Sequence, residues 1–80
     1  MSGLAVYDPW VGPKDMGTMW TVAKRGDWLR CVLWTHPLGW ELRKMKNDRL
    51  LRTEVCKQPG DVFALASRWQ KEALDKGWTG

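Results

Sequence analysis

The sequence is poor in histidine and cysteine, two residue types that often bind metals or carry out nucleophilic and acid–base chemistry. Its 80 residues include one histidine and two cysteines. A metal site requires three or four suitable ligands that meet at one point, so we expect no metal and no cofactor. No glycine-rich loop leads from a strand into a helix, and the carboxylates show no paired spacing. These features predict that the protein is not an enzyme.

Long apolar stretches are also lacking. No run approaches the roughly 18 apolar residues of a membrane-spanning helix, and the N-terminus lacks the basic and apolar regions of a signal peptide. We therefore predict a cytoplasmic protein without a membrane partner. The cysteines, Cys31 and Cys56, do not make a disulfide framework and should stay reduced in the cytoplasm. Alternation along the predicted strands places them on opposite faces of the sheet.

Tryptophan is the residue that the sequence has in abundance. The sequence has seven tryptophans but only one tyrosine and one phenylalanine. Because a domain of this size buries a low fraction of its surface, a few large aromatic side chains must supply much of the core. The formal charge of +4 permits an anionic partner but does not require one.

The stretch from Met19 to Val55 predicts an antiparallel meander, because apolar and polar residues alternate between short turn-forming segments. The predicted strands are Met19–Lys24, Trp28–Trp34, Trp40–Lys46 and Arg49–Val55. The turns fix the register of these strands. Counting outward from each turn pairs Trp20 with Cys31, Val22 with Leu29, Leu33 with Leu42, Leu42 with Thr53 and Trp40 with Val55.

A single helix is predicted over about Gly60–Lys76, with one apolar face packed on the sheet. Gly77 is expected just past the helix C-terminus, with Trp78 folding back onto Ala73. The fold class is therefore α+β, with an irregular N-terminal arm over 1–17 and one ββββα domain over 18–80. The predicted core combines Trp20, Val22, Leu29, Cys31, Leu33, Trp40, Leu42, Leu51 and Val55 of the sheet with Val62, Leu65, Ala66, Trp69 and Ala73 of the helix.

The sheet face turned away from the helix is the candidate interaction face. Alternation predicts that it carries Trp28, Arg30, Val32, Trp34, Arg43, Met45 and Arg52, together with Leu50. Tryptophan and arginine are enriched at binding hot spots. The leading hypothesis is a non-catalytic interaction module whose open face binds a protein partner or a second copy of the chain, unless the N-terminal arm covers it. No small-molecule substrate is indicated.

Nucleic-acid binding is the alternative hypothesis for the same face. It would use Arg30, Arg43 and Arg52 for phosphate contacts and the neighbouring tryptophans for base stacking.

The chain also resembles a group of small, tryptophan-rich bacterial proteins of unknown function. The resemblance covers roughly residues 19–78 and rests on Trp20-Thr21, Cys31-Val32-Leu33, Gly39-Trp40-Glu41, Ala64-Leu65-Ala66 and Gly77-Trp78. It implies the meander-and-helix fold and a bacterial origin, but it implies no function.

Overall fold

A computed structural model describes residues 12–80. Its elements are β1 (Asp15–Lys24), β2 (Asp27–His36), β3 (Gly39–Lys46), β4 (Arg49–Cys56) and α1 (Pro59–Asp75). The strands form one antiparallel sheet in the order β1-β2-β3-β4, and α1 packs on one face of it. The predicted α+β meander with one C-terminal helix is therefore confirmed.

Strand β1 begins four residues earlier than the sequence predicts, at Asp15 instead of Met19. Two irregularities in its pairing with β2, at Met16 and at Met19, interrupt the period-two alternation that marks a strand. Gly17 adopts a φ of +117°, and its backbone N–H donates to Asp15 Oδ1 at 2.7 Å. The last residues of the predicted arm are thus part of the sheet, while residues 1–11 lie outside the described residues.

The predicted registers of the first three strands are confirmed, with Val22 opposite Leu29 and Leu33 opposite Leu42. The register predicted between β3 and β4 is wrong by one residue, since Leu42 faces Glu54 rather than Thr53. A bulge causes the shift. Leu51 is an extra residue between the partners of Lys44 and Met45. Each later residue of β4 therefore lies on the face of the sheet opposite to the predicted one.

The bulge in β4 also changes the core. Cys56 is buried beside Cys31 in one apolar cluster, so the prediction that the two cysteines lie on opposite faces is wrong. Leu51 and Val55, predicted as core residues, are 45% and 39% exposed. Leu33 and Trp40 are only partly buried against the cluster.

Helix α1 begins with a proline in its first turn and carries Asp61 there, as suits the unpaired N–H groups of a helix N-terminus. Its buried residues are Val62, Leu65, Ala66, Trp69 and Ala73, which are the helix residues of the predicted core. The helix ends in a Schellman motif, because Trp78 N donates to Ala73 O at 3.1 Å and Gly77 N to Leu74 O at 3.0 Å. Gly77 takes the left-handed backbone of this motif, with φ +94°.

Two tryptophans fix the helix to the sheet. Trp69 is 0% exposed at the centre of the core, although its Nε1 has no hydrogen-bond acceptor among residues 12–80. Trp20 reaches from β1 and donates its Nε1–H to the backbone carbonyl of Ala66 at 2.8 Å, a buried hydrogen bond. Beyond the helix, Thr79 forms an isolated antiparallel bridge with Ala23 on the outer edge of β1.

Truncating Trp69 should destabilise the domain severely. We expect Trp69→Ala to lower the free energy of unfolding by about 3–5 kcal/mol, because the change leaves a large cavity in the core. Phe63→Ala is the matched control, since Phe63 lies on the same helix but is 64% exposed. Its effect should stay within about 0.5 kcal/mol. Urea unfolding measures both, and equal effects would contradict this packing.

Gly39 should tolerate substitution far less well than Gly26. Both glycines have positive φ, +144° and +86° respectively, so alanine is strained at either position. At Gly39 alone, an added Cβ would also collide with the backbone carbonyl of Cys56, whereas nothing lies near the Gly26 position. Gly39→Ala should therefore give the lower urea midpoint of the two variants. Equal midpoints would show that β3 and β4 do not approach so closely.

Candidate interaction face

The open face, defined as the side of the sheet opposite α1, takes its residues from the alternation of β2. Trp28, Arg30, Val32 and Trp34 occur at every second position of this strand. Strand β3 adds two more of the predicted residues, because Arg43 pairs with Val32 and Met45 pairs with Arg30. The structure thus brings six of the predicted residues onto one face.

Arg52, the remaining residue of the predicted set, lies on the other side of the sheet. The β4 bulge pairs it with Lys44, and its guanidinium carbon is 4.9 Å from the ring centroid of the core residue Trp69. Lys44 Nζ approaches the same ring at 5.7 Å. Burial and the neighbouring Arg52 cation lower the pKa of Lys44. The prediction of three arginines on one open face is therefore wrong, and the nucleic-acid hypothesis loses one of its three phosphate contacts.

Trp34 and Arg43 form one half of the open face with Glu41, which the sequence analysis did not include among the site residues. The guanidinium of Arg43 lies 4.1 Å from the Trp34 ring centroid. Glu41 Oε1 accepts from Arg43 Nε at 3.0 Å and lies 2.9 Å from Arg43 Nη2. Alternation already placed Glu41 and Arg43 on one face of β3, which was the available signal. The ion pair compensates the charge of Arg43, so this half of the face leaves no charge of Arg43 for a partner to neutralise.

The other half of the open face is an apolar area near the β3–β4 turn, which we call the hairpin-end patch: Trp28, Arg30, Met45 and Leu50. Trp28 is 56% exposed and Leu50 is 49% exposed, while Met45 and Arg30 are half-buried. Leu50 pairs with Met45 across the strands. A shallow depression of about 330 Å³ adjoins the patch and is lined by Thr21, Trp28, Arg30, Asn47 and Asp48.

Asn47 holds the backbone of Trp28 in place. Trp28 N donates to Asn47 Oδ1 at 3.0 Å, and Asn47 N donates to Trp28 O at 2.8 Å. Asn47 also reaches Asp27 through its side-chain amide at 3.1 Å, and it takes the left-handed backbone that asparagine tolerates, with φ +54°. The backbone that carries the exposed indole is thus ordered by the turn.

Val32 separates the two halves of the open face. It lies on the predicted face but is buried, with 5% of its surface exposed. The exposed apolar surface is therefore not one continuous area from Trp28 to Trp34, as the alternation alone would suggest. Trp28 and Leu50 are exposed at the hairpin end, and Val55 is exposed at the other end of the face.

The two cysteines are buried thiols on the core side of the sheet. Burial raises the pKa of Cys31 to about 11 and also raises the pKa of Cys56. Both groups are therefore protonated near neutral pH, which makes them poor nucleophiles. Within residues 12–80, no three histidine, cysteine, aspartate or glutamate side chains are grouped so that they could hold a metal ion.

The described part of the chain contains no helix long and apolar enough to cross a membrane. Comparison with known proteins found no matching family model, no matching curated protein and no matching solved structure. The resemblance to small tryptophan-rich bacterial proteins thus stays a prediction.

The Cys31 thiol should make stability depend on alkaline pH. Its pKa rises on folding from 9.0 to about 11, so its contribution is fully present below the unfolded pKa and is lost as pH rises through the folded pKa. Cys31→Ala should remove this part of the decline. Urea unfolding of both proteins at about pH 8 and at about pH 10 measures it, because the other titrating groups are common to both. A stability difference that stays constant with pH would contradict the prediction.

Proposed function

We propose that this protein is a non-catalytic interaction module that binds a protein partner through the hairpin-end patch of its open face. The observation that carries the proposal is the exposure of Trp28, on a strand whose backbone the Asn47 turn holds in place; Leu50 is exposed on the same face. The helix already covers the opposite face of the sheet, so the fold does not need this tryptophan in its core.

The composition of the hairpin-end patch supports a protein partner. Tryptophan, methionine and arginine are enriched at protein interfaces relative to the remaining surface. Arg30 has no ion pair within residues 12–80, whereas Arg43 on the same face is paired with Glu41. A partner that offers an apolar side chain to Trp28 and a carboxylate to Arg30 would match both features.

The charges of the open face favour a protein over a nucleic acid. Arg30 and Arg43 share this face with Glu41 and with Asp15, which pairs with Trp34 at the end of β1. Among residues 12–80, the positive and negative charges of this face balance, so these residues do not supply the excess of cations that attracts a phosphate backbone. A second copy of the chain is the other protein occupant that the patch would accept.

Binding should depend on Trp28 and not on an equally exposed aromatic residue elsewhere. We expect a purified partner, isolated on the immobilised protein from an extract of the source cells, to bind Trp28→Ala at least about tenfold more weakly, as for a hot-spot aromatic. Arg30→Glu should weaken binding too, because it reverses the unpaired charge. Isothermal titration calorimetry gives the affinities.

Phe63→Ala is the matched control, because Phe63 is 64% exposed on the helix and its loss should leave the affinity unchanged. A partner that binds Trp28→Ala as well as the unaltered protein would overturn the proposal. If the isolated partner is the chain itself, the patch mediates self-association.

A further inference from the structure

The two edges of the sheet differ in how well they are protected. Strand β1 is interrupted at Met16 and Met19, and its outer edge is covered at Ala23 by Thr79. Within residues 12–80, strand β4 pairs only with β3, and each residue of 49–55 is exposed. An uncovered edge strand presents unpaired backbone N–H and C=O groups that add readily to another strand.

We propose that β4 pairs antiparallel with β4 of a second copy of this chain, with Thr53 on the two-fold axis. The two four-stranded sheets would then form one continuous sheet. This proposal uses the sheet edge and does not rest on the hairpin-end patch.

The charges of β4 select this register. Arg52 and Glu54 flank Thr53 and lie on the same side of the strand, where they approach each other at 3.7 Å. With Thr53 on the axis, Arg52 lies opposite Glu54 of the partner subunit, and the symmetry forms this pair twice. Both side chains are nearly half-exposed, 46% and 44%, so a partner can reach their charged ends even though Arg52 also lies against the Trp69 ring.

Neighbouring registers are less favourable. An axis through Arg52 places arginine opposite arginine, and an axis through Glu54 places glutamate opposite glutamate, which destabilises a strand pair. If the axis passed between two residues, each residue whose side chain points to the open face would lie opposite a residue whose side chain points to the helix side. Opposite residues of an antiparallel pair point to the same side, so such a register does not fit the pleat. An axis through Val55 sets Glu54 opposite the buried Cys56 of the partner subunit and pairs it with no cation.

Exposed apolar residues lie at both ends of the proposed pairing. Val55, which is 39% exposed, would lie opposite Leu51 of the partner subunit, a residue that is 45% exposed. By symmetry, the same contact forms a second time at the other end of the paired strands. Association thus removes from water two of the larger apolar side chains that the β4 bulge leaves uncovered.

Charge reversal tests both the surface and the register. Arg52→Glu sets glutamate against glutamate across the axis, and Glu54→Arg sets arginine against arginine. We expect each variant to raise the dimer dissociation constant by about tenfold or more, since two unfavourable pairs replace two favourable ones. Sedimentation velocity over a concentration series measures the constant, and circular dichroism verifies that each variant is folded.

Mixing the two variants separates a specific pairing from a loss of folding. In the mixed dimer, the two glutamates of the Arg52→Glu chain would face the two arginines of the Glu54→Arg chain, so we expect the mixture to associate better than either variant alone. The double variant Arg52→Glu/Glu54→Arg should recover the unaltered dissociation constant. Lys71→Glu is the control, because Lys71 pairs with Asp75 on the exposed side of α1, and this change should leave association unaltered.

Three outcomes would overturn the proposal. The first is an unaltered protein that stays monomeric at every concentration reached. The second is a dimer that the single charge reversals do not weaken, which would place the contact on another surface, such as the hairpin-end patch. The third is a folded pair of variants that does not associate on mixing, which would reject the Thr53 register.

Discussion

The hydrogen bond from the Trp20 indole to the Ala66 carbonyl joins the two layers of this small domain. A buried indole N–H usually has an acceptor, and each backbone carbonyl has two lone pairs, so a carbonyl in the middle of α1 can accept from both the helix backbone and the tryptophan. The bond therefore constrains the position of α1 above the sheet at Ala66, together with the buried residues of the helix. Trp69, which is fully buried, then occupies the space between the helix and strands β3 and β4.

The position of Trp69 explains an arrangement of charges that alternation does not anticipate. Lys44 and Arg52 are long cations that extend over its ring at the margin of the core. Their aliphatic stems cover apolar surface while their charged ends stay near water. A sheet residue on the helix side thus need not be apolar, provided that its side chain is long enough to reach the solvent. The open face correspondingly retains apolar residues at its hairpin end, among them Trp28 and Leu50.

Most of the fold is predictable from the sequence because local signals agree with one another. Arg25-Gly26 and the His36–Gly39 loop fix two registers, and the apolar arc of α1 identifies its buried face. The bulges could not be predicted in this way, since nothing in the side-chain pattern around Leu51 indicates an extra residue. Its insertion is favoured by tertiary structure, because it turns Cys56 into the core beside Cys31. This one unpredicted bulge accounts for the errors at Leu51, Arg52, Val55 and Cys56. Six of the candidate site residues precede the bulge in the chain, and these lie on the open face as predicted.

The bridge between Ala23 and Thr79 has a consequence for how the chain reaches this structure. These residues are 56 positions apart, so their two backbone hydrogen bonds, of 2.7 and 2.9 Å, close a loop that contains three strands and the helix. Such a closure is entropically costly until the intervening segments have become compact. The hairpins, whose partners are near in sequence, can form early, and the outer edge of β1 is completed only after α1 has docked. The part of the β1 edge that Thr79 covers, at Ala23, should therefore stay open until that late step of folding.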